Sequence, residues 1–167
     1  MNRIVWFFGL LAGVLAGNAG AQSLAAPCSL PADPGAIPAA IDAAITGPAD
    51  KDRVCMKALF LPEARLVVAT GADSTLTYTV LTLDDWIARV QARGKSVLEE
   101  KQIKFSVESY GGIVHLWSTY ALRSDGKQIA RGINSIQAIK VAAGWRVLGI
   151  MWQAESPATP LPKESLP

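Results

Sequence analysis

Metal-binding side chains are scarce in this chain: in 167 residues histidine occurs once, at His115, and cysteine twice, at Cys28 and Cys55. Neither a CxxC pair nor a Cys/His cluster with ligand spacing can be assembled from them, so no zinc site, no thioredoxin-like redox motif and no cofactor is expected. An excess of either charge is also lacking. Sixteen basic and 14 acidic side chains nearly cancel, with no basic block, and without one there is no grip on a phosphate backbone, so nucleic acid is not an expected partner. Nor is there the continuous run of about 20 apolar residues that a membrane-spanning helix needs. The best candidate, from Ile4 to Ala16, dissolves into Gly17, Asn18 and Gly20.

That N-terminal segment has instead one basic residue, Arg3, an apolar stretch, and small residues before Gln22, with Ala19-Gly20-Ala21 as an A-x-A cleavage site. This is the layout of a secretory signal peptide. The expectation is a signal peptide over residues 1–21, a periplasmic or secreted location, and no membrane association after cleavage. Losing Arg3 leaves 15 basic against 14 acidic side chains. Disulfides persist in exported chains, so the even pair Cys28 and Cys55 is expected to be bridged; two unpaired thiols are the alternative.

Half of the residues are apolar and the length suits one domain. Residues 22–35, rich in Ala, Pro and Ser, read as an extended segment. IPAAIDAAITG places Ile37, Ile41, Ala44 and Ile45 on one helical face, with Pro38 in the first turn. A second helix is expected over KDRVCMKALFL, capped by Asp50 and ended by Pro62. The strand ARLVVAT and the alternating STLTYTVL follow. A third helix starts at Thr82, which forms a capping box with Asp85, and stops near Gly94. Four long strands fill residues 97–155, and the Pro-rich residues 156–167 are expected to be disordered. Strands beside grouped helices imply α+β, a curved sheet packed against three helices.

Three stretches, DRVCMKALFLPEARLV at 52–67, RGINSIQ at 131–137 and GWRVLGIMWQ at 144–153, set in this order of elements, resemble the nuclear transport factor two-like superfamily. That superfamily includes ketosteroid isomerases, scytalone dehydratases and SnoaL-like polyketide cyclases. The resemblance implies a cone-shaped, cystatin-like α+β domain over residues 36–155, often a homodimer, with a pocket between an antiparallel sheet and the helices. It does not imply chemistry, because the fold hosts many functions. The isomerases' general-base aspartate would fall at about Val68, their oxyanion tyrosine has no counterpart on the first helix, and the place of their second aspartate is taken by Asn134. An amide can donate a hydrogen bond but cannot move the proton. The His/Asp pattern of the dehydratases is not recognisable.

Counting strand register from the turns at Asp125-Gly126 and Gly111-Gly112 sets Asn134 opposite Trp117 and Glu108 opposite His115. Ser106, Glu108, His115, Trp117, Thr119, Gly132 and Asn134 should then share one face. On that reading Glu108 and His115 are the candidate catalytic pair, and His115, Trp117, Thr119 and Asn134 are candidate ligand contacts, with Trp117 stacking on a flat molecule. The opposite face carries Ile103, Phe105, Val107, Leu116, Tyr120 and Ile133, with Arg131 and Gln137 as substitutes should that face be the cavity. The expected function is binding of a small apolar or aromatic molecule. An enzyme using His115 and Glu108, and a dimeric interaction module without chemistry, are the alternatives.

Overall fold

The computed structural model describes residues 28–167; residues 1–21, expected to be a signal peptide, and residues 22–27 lie outside the described residues. Three helices, α1 (Ile37–Ile45), α2 (Val54–Leu59) and α3 (Leu83–Gln91), cover one side of a seven-stranded, curved and unclosed sheet. Its strands are β1 (Gly47–Pro48), β2 (Phe60–Thr70), β3 (Thr77–Thr82), β4 (Val97–Tyr110), β5 (Ile113–Ser124), β6 (Lys127–Val141) and β7 (Gly144–Ala154), in the order β1-β4-β5-β6-β7-β2-β3. The α+β class is as expected. One pair departs from the antiparallel expectation: β2 runs parallel to β7.

The helices form for local reasons. In α1 the apolar stripe Ile37, Ile41, Ala44 and Ile45 is buried, and Pro in the first turn sacrifices no hydrogen bond. In α3, Thr82 Oγ1 accepts from the Asp85 amide while Asp85 accepts from the Thr82 amide, each at 3.1 Å, so the expected capping box is present. Leu83, Ile87 and Val90 face inward. The second helix is shorter than expected. It begins after Arg53, not Asp50, and gives way at Phe60 to a strand that includes Pro62. Asp50 instead pairs with Lys95 at 2.8 Å.

Arg53 explains the late start. Only 2% exposed, it donates to the carbonyls of Ala44 (3.0 Å) and Ile45 (2.7 Å) at the end of α1 and lies 5.7 Å from the ring centre of Trp86 on α3. A guanidinium thus satisfies the orphan carbonyls of one helix and ties it to another. The Cys28–Cys55 disulfide is formed, with the Cα atoms 5.2 Å apart, and it staples the N-terminal segment to α2.

The residues between the helices and the sheet make a main core, including Leu116, Ile136, Val147 and Ile150 from the concave face, and a small second cluster of Ala49, Val90 and Leu98. The final segment, expected to be disordered, lies along the convex face. Thr119 Oγ1 donates to Ser165 O at 2.7 Å, Lys104 Nζ donates to Leu166 O at 2.9 Å, and Leu161 N donates to Glu155 Oε1 at 3.1 Å. The prolines that break periodicity there also preset extended backbone, which lowers the cost of ordering it.

Candidate functional site

Bulges decide what faces the helices. In β4, Gln102 pairs with Tyr120 but Lys104 pairs with Thr119, so Ile103 is an extra residue; in β6, Ala130 pairs with Leu122 but Gln128 pairs with Arg123, so Ile129 is extra. A bulge inverts which side chains point inward beyond it. Asn134 therefore lies opposite Ser118, not Trp117, which corrects the expected shared face. Asn134 is on the concave side. Glu108, His115, Trp117 and Thr119 are on the convex side, and so are Arg131 and Gln137, which pair with Ala121 and His115.

The convex residues do not form the expected site. Glu108 and His115 are cross-strand neighbours as counted, but His115 Nε2 hydrogen-bonds to Ser135 Oγ at 3.0 Å and not to Glu108. The two border an open depression with Gln137 and Ile139. Trp117 is half exposed, its ring 6.4 Å from that of His115 and at a tilt, and Thr119 is covered by the C-terminal segment.

The concave side holds a cavity of about 240 Å³. Its walls are apolar and aromatic: Met56 from α2, Leu66 from β2, Trp86 from α3, and Ile150 and Trp152 from β7, with the exposed Arg93 at the mouth. One patch of wall is polar, made by Glu100, Tyr120 and Asn134. Glycine at 132, opposite Tyr120, lets β6 and β7 approach, since a Cβ there would sit 2.1 Å from Gln153 O.

Gln102, 5% exposed, organises the patch. Its Oε1 accepts from Ser118 Oγ (2.5 Å) and Asn134 Nδ2 (3.2 Å), and its Nε2 donates to Glu100 Oε1 (2.9 Å). With two donors on the oxygen, the amide orientation follows from the network. The Gln102 main-chain N–H, next to the bulge, donates to Asp42 Oδ1 of α1 at 3.0 Å. Asp42 is also 3.6 Å from Lys101 Nζ. Burial raises the Asp42 carboxyl above its usual range against these lowering contacts.

Glu100 is the most perturbed group of the patch. Burial, then repulsion from Asp42, pushes its carboxyl up to about 7, partly offset by hydrogen bonds from Gln102 and Asn134. Burial, then the Glu100 charge, pushes the Tyr120 phenol up to about 12. No ion pair among the described residues includes Glu100. A carboxyl that titrates near neutrality in an apolar cavity can hold or release a proton, or accept a donor from an occupant. Sequence reasoning assigns Glu100 no role. Among the described residues no cluster of His, Cys, Asp and Glu could hold a metal, and no helix is long and apolar enough to cross a membrane.

No protein-family model matches the sequence, and no curated protein is similar to it. Solved structures are similar in fold. A protein of unknown function with a cystatin-like fold from Nostoc punctiforme aligns over 75% of this chain and 90% of its own, at 10% identity and a TM-score of 0.52. An NTF2-like protein of unknown function from Shewanella baltica aligns over 72% and 89%, at 10% identity and a TM-score of 0.50. Another, from Methylobacillus flagellatus, aligns over 73% and 91%, at 9% identity and a TM-score of 0.50. At such identities the likeness shows the fold and nothing of the chemistry.

Proposed function

We propose that this chain, which has the nuclear transport factor two-like fold, is an exported binding protein for a small apolar or aromatic molecule held in the concave cavity. The observation that carries this reading is an apolar cavity with one convergent polar patch, the usual make-up of a ligand site. Its volume of about 240 Å³ falls below the ~300–1,000 Å³ of drug-sized sites, so the occupant is compact, with one or two rings. Export is supported by the N-terminal sequence together with the Cys28–Cys55 bridge.

Native mass spectrometry of protein purified from the periplasm or medium is the test. The expected result is a small-molecule adduct that is lost in an Ala130→Trp variant, in which an indole fills the cavity from its wall. No adduct, together with no heat of binding on calorimetric titration with indole, would overturn the reading.

The protein is a homodimer on the same proposal, paired through the convex face. The support is a row of exposed apolar side chains there, Trp117 (50%), Met151 (51%) and Val80 (51%), an arrangement that marks association surfaces. Sedimentation velocity should give a dimer that Val80→Lys dissociates; a monomer at micromolar concentration would end this part of the reading.

A further inference from the structure

We propose that the occupant of the cavity is a small cation: an amine on an aromatic or apolar body, with its ammonium on the Glu100 carboxylate and its body against Trp86 and Trp152. The inference rests on the cavity reading above and names the ligand class. The cavity wall carries an acid without a basic partner. The charged or titratable groups facing Glu100 are Asp42 from α1, Tyr120 from β5 and Arg93 at the mouth after α3. Of these, Asp42 repels it, Tyr120 is neutral, and Arg93 is exposed to solvent. The nearby cations are committed elsewhere: Lys101 to Asp42, and Arg53 to the carbonyls at the end of α1.

The neighbouring groups favour the same ligand. Gln102 Oε1 is taken by Ser118 and Asn134, and its amide is spent on Glu100, so the charged acceptor in the wall for an incoming donor is the Glu100 carboxylate, beside the neutral oxygens of Asn134 and Tyr120. An anion would meet the Glu100 carboxyl in the wall, with the charge of Asp42 behind it. A cation instead finds a carboxylate and indole rings, whose faces attract positive charge. A half-buried acid that has hydrogen bonds but no counter-charge is costly, and a ligand that supplies the missing charge recovers that cost.

Isothermal titration calorimetry with 2-phenylethylamine and its neutral counterpart 2-phenylethanol tests this. At pH 8 the amine should bind at least about tenfold tighter than the alcohol. Between pH 8 and pH 6 its affinity should fall roughly tenfold, because only the ionised carboxyl is competent and that fraction drops across its titration near 7. Proton release on binding should appear as a buffer-dependent heat. In Glu100→Gln the preference for amine over alcohol should collapse to near one. Equal binding of the two compounds, or a preference that survives Glu100→Gln, overturns the cation assignment and leaves the cavity reading standing. Binding of neither overturns both. If Glu100→Gln proves unfolded by circular dichroism, the pH arm on the unaltered protein decides the matter.

Discussion

Glu100 and Glu108 are the same residue type on the same strand, an even number of positions apart, and in a regular strand they would point to the same side. They do not, because Ile103 is an extra residue between them. Glu100 turns into the cavity beside Asn134 and Tyr120, and Glu108 turns out beside His115. The difference between them owes nothing to side-chain chemistry. One bulge places a carboxyl among tryptophans, where burial and Asp42 push it to about 7, and leaves the other in water. The bulge also frees the Gln102 amide that Asp42 of α1 accepts, so the irregularity is itself held by the helix layer.

Breaking the bulge should have the largest effect. Deleting Ile103 would restore a regular ladder and force either Leu98, Glu100 and Gln102 out or the distal half of β4 over; the expected cost is more than about 4 kcal/mol, read as loss of the cooperative urea transition. Next is the staple on the helix layer. Cys28→Ser with Cys55→Ser should destabilise by about 3–4 kcal/mol, since it releases a loop of 27 residues; the midpoint of urea unfolding would report it.

The two glutamates can then be compared directly. Because the folded-state value of Glu100 lies above its unfolded one, the folded chain holds its proton more tightly, and stability falls as pH rises from about 4.5 through 7. Asp42, also raised by burial, adds with the same sign at the low end of that window. The unaltered protein should therefore melt at a higher temperature at pH 5 than at pH 8. Glu100→Gln should flatten that dependence and gain roughly 2–3 kcal/mol at pH 8, whereas Glu108→Gln, at an exposed position, should change stability by less than about 0.5 kcal/mol. Equal effects of the two substitutions in thermal melts would remove the basis of the comparison.

The same bulges separate what could be read in the sequence from what could not. The helical stripe of Ile37, Ile41 and Ile45, the Thr82–Asp85 box and the Asp125-Gly126 turn depend on neighbours within a few residues, and each stands as expected. The Glu108–His115 pairing was legible too, because no bulge lies between it and the Gly111-Gly112 turn. Counting from Asp125-Gly126 sets Asn134 opposite Trp117, but Ile129 intervenes. Nothing local in QIARG marks Ile129 as extra, since a bulge depends on the partner strand and on the packing that curves the sheet. Glu100 was missed for the same reason. Uninterrupted counting sets it opposite Arg123, an exposed ion pair, where the structure sets it opposite Leu122.

The C-terminal segment offers the smallest effect and tests whether the two faces are independent. Ending the chain after Glu155 would remove the carbonyls that Thr119 and Lys104 donate to and uncover more of Trp117, which borders a groove lined by Thr159, Pro160 and Leu161. Those bonds are offset by the entropy of ordering the segment, so the net loss should be about 1 kcal/mol. Acrylamide quenching of tryptophan fluorescence should rise as Trp117 is exposed. Affinity at the cavity should stay within about twofold, because no tail residue lines the cavity with Glu100 and Trp86, although Trp152 and Ala154 border both the cavity and the groove of the tail. A larger change in ligand affinity would mean that the sheet transmits strain from one face to the other, and the Glu100 environment would then have to be read as a property of both.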